Sequence, residues 1–248
     1  MGFFSKLFSR NTLYYPGCLA KSVATDINEN YREILKNLGI DFLIIEEFVC
    51  CGSPVLNSGF EEDFERLKKK NIELLKKYGI RTIITPCPAC ARMFKQDYEL
   101  EKRGFKVKHV SEVIIENVNK IKPLFKKENP IEVTYHDPCH LGRHLRIYDA
   151  PRMAMMKAGY RINEFPKRRE NAECCGGGGG VKANFPEIAN EVAKRRMKKS
   201  RTKIIVTSCP LCYLHFKENA DKDHDIKEMS HLLKEAVEKD KGGRNNAV

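Results

Sequence analysis

One order of cysteines occurs twice along this 248-residue chain. Cys18, the pair Cys50–Cys51 with Gly52 behind it, and the Cys87-Pro88-Ala89-Cys90 motif make the first set. Cys139, the pair Cys174–Cys175 with Gly176, and Cys209-Pro210-Leu211-Cys212 make the second. Matching cysteines lie 121 to 124 residues apart. Their surroundings agree: IITPCPACARMFK (83–95) parallels IVTSCPLCYLHFK (205–217), and LYYPGCLAK (13–21) parallels VTYHDPCHLGR (133–143). Five cysteines repeated in order and spacing are not a coincidence, so the chain reads as two homologous units, 11–125 and 130–240. The segment 119–130, interrupted by Pro123 and Pro130, reads as their connector.

Short apolar runs alternate with longer amphipathic ones in each unit. Strands are expected at Leu13–Tyr15, Phe42–Ile45, Arg81–Thr85, Phe105–Val110, Ile131–Tyr135, Arg161–Phe165 and Lys203–Thr207. Helices are expected at Asp26–Asn37, Glu61–Tyr78, Pro88–Lys102, Pro151–Ala158, Pro186–Lys199 and Pro210–Asn219. Several open on proline, which suits a first turn. The fold class is therefore α/β: two pseudo-symmetric repeats, each a small, mainly parallel sheet flanked by helices. Ligands of such sheets gather at the carboxyl ends of the strands. Cysteines follow Tyr15, Thr85, Tyr135 and Thr207, so they are expected to converge there. Helices beginning after Cys87 and Cys209 would aim their positive ends at the same place, favouring thiolates.

What the cysteines do depends on compartment. No run of ~18 apolar residues is present, so no membrane-spanning helix is expected. No secretory leader opens the sequence. A cytoplasmic location is expected, where structural disulfides are rare. Four readings compete. A disulfide framework conflicts with that compartment. A thioredoxin-like dithiol fits Cys-Pro-Ala-Cys alone, but not three further cysteines, twice over. Structural zinc takes four ligands, often as two C-x2-C pairs; five thiols per unit leave one surplus. An iron–sulfur cluster, held by cysteine thiolates contributed from distant loops, accounts for the pattern best. Five thiols also exceed the four of a plain cubane. Neighbouring side chains of an extended strand point to opposite faces. Both members of Cys50–Cys51 or Cys174–Cys175 reach one cluster only through a sharp turn, which Gly52 and Gly176 permit. The run Gly176–Gly180 lacks the Lys-Ser/Thr ending of a phosphate loop and reads as a backbone wall against a cluster or ligand.

The repeated pattern, with the phrases YYPGC (14–18), CCGSP (50–54), YHDPCHLGRH (135–144) and ECCGGGGG (173–180), resembles the cysteine-rich "CCG" domain family. The likeness extends over about residues 12–235. That family includes the B and D subunits of heterodisulfide reductase and the iron–sulfur subunits of glycolate, lactate and anaerobic glycerol-3-phosphate oxidation systems. The resemblance implies two iron–sulfur clusters of the [4Fe-4S], non-cubane type. By position, one would be held by Cys18, Cys50, Cys51, Cys87 and Cys90, the other by Cys139, Cys174, Cys175, Cys209 and Cys212. It implies an oxidoreductase subunit that passes electrons and reduces a small disulfide between the clusters. The sequence lacks the ferredoxin run C-x2-C-x2-C-x3-C-P. The implied partner is thus a ferredoxin-type iron–sulfur subunit or a flavoprotein, and the implied substrate a small disulfide or thiol. Two alternatives stand beside this: an electron-transfer subunit of a flavin-dependent lactate or glycolate oxidase, and a zinc-stabilised binding module.

The formal charge of +12 raises nucleic acid as a partner. No nucleic-acid motif accompanies Lys167–Arg169, Lys194–Arg196 or Lys198–Lys199, which read as solvated helix faces, so no nucleic-acid partner is expected. An acidic electron carrier or anionic substrate suits the charge better. His136, His140, Arg143, His144 and Arg146 surround Cys139. They are candidates for binding a substrate anion or protonating a departing thiolate, set against structural roles such as a His136 bond to backbone. His215 reads as a helix residue. In residues 1–10, Phe3, Phe4, Leu7 and Phe8 share a helical face opposite Lys6 and Arg10. This is a candidate peripheral membrane or partner contact.

Overall fold

The computed structural model describes residues 11–124 and 129–237. The expected amphipathic segment at residues 1–10 lies outside them. The first parallel sheet has strands β1 (Thr12–Tyr14), β2 (Thr82–Thr85) and β3 (Lys106–His109), side by side in that order. The second has β4 (Glu132–His136), β5 (Arg161–Ile162), β6 (Ile204–Thr207) and β7 (Asp225–Glu228), in the spatial order β5-β4-β6-β7. The duplication extends to register. Tyr14 lies opposite Ile84, and Tyr135 opposite Val206, the residues that the cysteine offset equates.

The strand expected at Phe42–Ile45 is a single parallel bridge from Leu43 to Leu13. It is held by Leu43 N–H to Thr12 O at 2.8 Å and Tyr14 N–H to Leu43 O at 2.9 Å. The chain then leaves the sheet edge through a turn at Glu46–Glu47. Counting this bridge, both sheets have the same four-strand order. β5 is likewise an edge strand, shorter than expected.

Five expected helices form within two residues of their anticipated ends: α2 (Thr25–Asn37), α4 (Glu61–Lys77), α7 (Asp149–Lys157), α9 (Pro186–Met197) and α10 (Pro210–Asn219). The one expected over Pro88–Lys102 is broken. α5 (Pro88–Arg92) widens into a π-helical turn at Met93–Asp97, closed by Tyr98 N–H on Met93 O at 2.9 Å, and Glu99 then takes φ 52°. Short elements the periodicity does not announce are α1 (Gly17–Ser22), α3 (Ser53–Asn57), α6 (Val110–Glu116), α8 (Val181–Asn184) and α11 (Met229–Leu233).

Strands β3 and β7 pass into α6 and α11 through mirrored caps. His109 accepts from Ser111 N–H while Glu112 accepts from His109 N–H at 2.9 Å. Glu228 accepts from Ser230 N–H at 2.7 Å while His231 Nδ1 accepts from Glu228 N–H at 3.1 Å. Each cap satisfies two helix-end amides reciprocally, with acid and imidazole exchanged between the units.

One core joins the two sheets. Tyr14, Ile27, Tyr31 and Leu35 pack in one cluster with Tyr135, Met155, Phe216 and Leu233. Tyr31 donates to Glu228 Oε1 at 2.8 Å across that boundary. A second cluster, including Leu13, Tyr15, Ile83, Phe94 and Tyr98, lies within the first unit. No helix among the described residues is long and apolar enough to cross a membrane.

Candidate metal centre

Each cysteine set comes from three loops at the carboxyl ends of three adjacent strands. Cys18 opens α1 just after β1, Cys50–Cys51 follow the Leu43 bridge, and Cys87 and Cys90 lie at the start of α5 after β2. In the second unit Cys139 follows β4, Cys174–Cys175 follow β5, and Cys209 and Cys212 start α10 after β6. Connections leave in opposite directions on the two sides of β1, and likewise of β4. Such a reversal opens a crevice at the strand ends.

All ten cysteines are free thiols. In the first unit their side chains line up in one string, each thiol beside the next, Cys18 to Cys50 to Cys51 to Cys90 to Cys87. The second repeats it as Cys139 to Cys174 to Cys175 to Cys212 to Cys209. Every cysteine that the spacing singles out is in a string. Cys18 and Cys174 are the exposed corners; Cys51, Cys90, Cys175, Cys209 and Cys212 are buried.

The strings polarise their protons. Cys50 and Cys174 fall well below the usual thiol range because Cys18 or Cys139 donates to each. Cys51 or Cys175 then adds a second donor, and Gly52 or Gly176 N–H a third, against burial. Cys18 and Cys139 are pushed up by that same donation and then by burial. Cys51 and Cys90, and Cys175 and Cys212, are pushed up first by the neighbouring thiol in the string. Five thiolates so close together would repel strongly. They can ionise together only around a multiply charged cationic guest. The set is all sulfur, which suits thiophilic metals, and its fifth member exceeds a zinc tetrahedron.

The adjacent pairs are turned by their glycines. Gly52 has φ 83° and Gly176 φ 90°, in the left-handed region that side chains resist. A Cβ on Gly52 would lie 2.6 Å from the Phe64 ring, and one on Gly176 2.6 Å from Ala189 O. The turn aims backbone amides at sulfur: Gly52 N–H to Cys50 Sγ at 3.4 Å, Gly176 N–H to Cys174 Sγ at 3.3 Å, and Gly177 N–H to Cys175 Sγ at 3.4 Å. The start of the glycine run is thus a backbone wall. His215 closes it from behind, packing on Gly177 and bonding Ala189 O through Nε2 at 3.0 Å.

The surroundings of the two strings differ. In the first unit Asn71, fully buried on α4, braces the pair loop. Its Oδ1 accepts from Val49 N–H at 3.2 Å, and its Nδ2 donates to Cys50 O at 3.1 Å and to Tyr98 Oη at 3.0 Å. Tyr15 donates to Val49 O at 3.0 Å. A groove of about 330 Å³ opens beside Cys18 and Cys50, with Lys21 and Arg32 among its lining residues. In the second unit the residue matching Tyr15 is His136. One of its ring nitrogens lies within 4.8 Å of the Sγ atoms of Cys175 and Cys212. Arg196 Nε approaches His136 Nδ1 at 3.4 Å. Burial, then the Arg196 charge, pushes His136 down to about 3. Arg196 itself is 1% exposed, and burial lowers it to about 10, still a cation at neutral pH.

Arg143 donates to Ala172 O at 2.6 Å. The His140 and His144 rings lie 4.9 Å apart in the π-helical turn His140–His144. That turn packs against α5, and Gln96 donates to His144 O at 3.1 Å, so the two cysteine loops abut. Asp137, beside His136, is held by Arg152 through bonds of 2.7 and 2.8 Å, and Glu164 takes the guanidinium's other edge. Arg146 takes φ 59°, its N–H bonded to Gly142 O at 2.7 Å.

Two stretches, residues 12–95 and 133–217, match the model of the CCG cysteine-rich domain. The chain belongs to the CCG family. A CCG relative, the D-type polypeptide of dihydromethanophenazine:CoB–CoM heterodisulfide reductase from Methanosarcina mazei, is 33% identical over 241 residues, 92% of this chain and 59% of that protein. An iron–sulfur protein of Methanocaldococcus jannaschii is 32% identical over 90% of this chain and 46% of its own length. The B-type polypeptide of fumarate reductase (CoM/CoB) from Methanothermobacter marburgensis is 33% identical, covering 88% of this chain and 44% of that protein. The chain thus spans about half the length of these curated relatives.

Within this CCG chain, several residues beside the strings escape sequence reading. Arg196 belongs to the basic run Lys194–Arg196, read as a solvated face, yet it is buried. His136, a candidate for anion binding or proton supply set against a backbone bond, meets a guanidinium at Nδ1. Asn71 and the Asp137–Arg152–Glu164 group carry no motif. The only signal for Asn71 is a polar residue on the apolar stripe of α4.

Proposed function

We propose that this chain is an iron–sulfur oxidoreductase subunit of the heterodisulfide reductase type. In this reading Cys18, Cys50, Cys51, Cys87 and Cys90 hold one non-cubane [4Fe-4S] cluster. Cys139, Cys174, Cys175, Cys209 and Cys212 hold the other. The units 11–125 and 130–240 are the two repeats that carry them. The observation that carries the reading is the gathering of all ten thiols into two matching five-membered strings. Family membership and relatives named as heterodisulfide reductase subunits support it.

Bound clusters would supply one-electron transfers. The chain's own residues hold the sulfurs, cover them with backbone amides and keep most of each string from water. A small disulfide would take two electrons and two protons to give two thiols. The electrons come from a ferredoxin-type subunit or a flavoprotein, working in the cytoplasm or at a membrane through that partner. Lys21 and Arg32 beside Cys18 suit an anionic group on such a substrate. A second reading, favoured by the relative named as part of a fumarate reductase, has the chain only pass electrons, as in hydroxyacid oxidase complexes.

Iron, zinc and sulfide analysis with EPR on anaerobically purified protein tests this. The expected result is about eight irons per chain with matching sulfide. Cys51→Ala and Cys175→Ala should each remove one cluster's signal and leave the other. Stoichiometric zinc without sulfide would overturn the reading. Perturbation of an EPR signal by thiol or disulfide supports disulfide chemistry; its absence, with a co-purifying flavoprotein, supports the second reading.

A further inference from the structure

The two cysteine strings match, but the charges behind them do not. In the first unit the buried residues of α4, the helix behind the pair loop, are Phe64, Asn71, Leu74 and Leu75. In the second, those of α9 are Ala189, Ala193, Arg196 and Met197. An arginine therefore replaces an apolar side chain in the wall of one site only.

This arginine is buried with only a long, shared ion pair. Its guanidinium lies over the Phe165 ring at 3.7 Å, and its Nη1 and Nη2 atoms, though buried, make no hydrogen bond. The nearest carboxylate oxygen is Glu173 Oε2 at 3.7 Å. Glu173 is committed elsewhere, to Lys199 Nζ at 2.7 and 2.8 Å, with Lys167 at 3.6 Å. Three cations share that one carboxylate. Asp137 is taken by Arg152 in a bidentate pair. At 3.4 Å, His136 Nδ1 lies closer to the guanidinium than Glu173 does.

Its route to the sulfurs is His136. A guanidinium carries donors only, so at 3.4 Å from Arg196 Nε the Nδ1 atom of His136 is an acceptor. The neutral ring then carries its proton on Nε2. Ligation of a metal through Nε2 would move that proton to Nδ1, donor against donor. His136, Cys175 and Cys212 are therefore not three metal ligands, despite lying within 4.8 Å of one another. The imidazole is instead a dipole fixed by Arg196 beside two thiolates. At the matching place in the first unit, Tyr15 directs its hydroxyl to Val49 O.

We infer that Arg196, acting through His136, makes the second-unit centre the electron acceptor of the pair, so that electrons pass from the first centre to the second. This rests on the iron–sulfur reading above. A reduced cluster carries one more negative charge than an oxidised one. A buried cation and hydrogen bonding near the sulfurs stabilise that form and raise the potential. Arg196 is a positioning residue in this account and touches no reacting atom.

EPR-monitored redox titration of the full chain tests it. Cys175→Ala and Cys51→Ala assign each wave to a unit. The second-unit wave should lie higher in the unmodified chain. Arg196→Met should lower that wave by a tenfold change in its equilibrium constant or more, 59 mV for one electron, and leave the first wave in place. Arg196→Lys should restore most of the difference, and His136→Phe should lower the same wave. Should Arg196→Met not fold, the lysine and phenylalanine variants still decide. Waves unmoved by these changes, or a second-unit wave lying lower, would overturn the inference while leaving the clusters standing. Absence of iron and sulfide would overturn both.

Discussion

Gly176→Ala is the sharpest test of the geometry at the cysteine pairs. Two costs fall on that position. Its φ of 90° lies where a side chain is strained, and the new Cβ would sit 2.6 Å from Ala189 O. Left-handed backbone costs an L-residue ~1–2 kcal/mol. The collision is with the backbone of α9, which cannot swing aside, so a further cost of about 1–3 kcal/mol is expected. Gly179 isolates the first cost: φ is 63° and nothing lies within 4 Å of its Cβ position. Gly52 is intermediate, because its Cβ meets the Phe64 ring, a side chain that can rotate. The predicted order of destabilisation is Gly176→Ala, then Gly52→Ala, then Gly179→Ala. Thermal unfolding reads it, since 1 kcal/mol is ~2–4 °C for a chain of this size. Gly179→Ala should lose ~2–8 °C, and Gly176→Ala, carrying both costs, ~4–20 °C. Metal analysis of the same samples should show the second site depleted by Gly176→Ala and the first by Gly52→Ala. Equal midpoints for Gly176→Ala and Gly179→Ala would refute the claim that close packing, and not backbone freedom alone, requires glycine there.

Other outcomes follow from single contacts. Asn71→Leu removes the partners of Val49 N–H and Cys50 O and should cost ~2–4 kcal/mol, with metal lost selectively from the first site; equal loss from both sites would sink the assignment of Asn71 as its brace. Arg152→Met strands Asp137 and Glu164 and should cost about 3–5 kcal/mol, partly recovered by adding Asp137→Asn, as denaturant unfolding of the single and double variants would show. Glu228, buried and hence raised to about 7, adds stability that is full below its unfolded pKa and lost as pH rises through about 7. His109 and His140, lowered to about 4 by burial, act oppositely as pH falls below 6.5. The comparison with Glu228→Gln therefore isolates the carboxyl. Between pH 5 and 8 the unmodified chain should lose up to roughly 3 kcal/mol relative to that variant, and parallel profiles would be the contrary result.

Much of the architecture was legible because it rests on periodicity and punctuation. Helices such as α4 and α10 carry a clear apolar stripe or a proline start, and the parallel sheets follow from strand–helix alternation. What failed did so for tertiary reasons. Phe42–Ile45 has strand composition, but only Leu43 finds a partner before the chain turns toward Cys50. Pro88–Lys102 has helical periodicity, but the π-helical turn and Glu99 break it while packing Phe94 and Tyr98 into the core. β7 and α11 are too short and polar to announce themselves, although Glu228, Ser230 and His231 mirror the cap at His109, Ser111 and Glu112.

The sequence by itself determined that this chain is a duplicated CCG protein with five thiols at matching places in each unit, because residue identity and order are covalent facts that spacing records. It also placed those thiols after strands, where a parallel sheet gathers its loops. Only the tertiary structure decided how the two sites differ. Arg196 looks like any other member of a basic helix run until α9 is docked. Burial then turns one lysine- and arginine-rich face inward at a single position, and docking sets that one buried charge against His136, which lies beside Cys175 and Cys212.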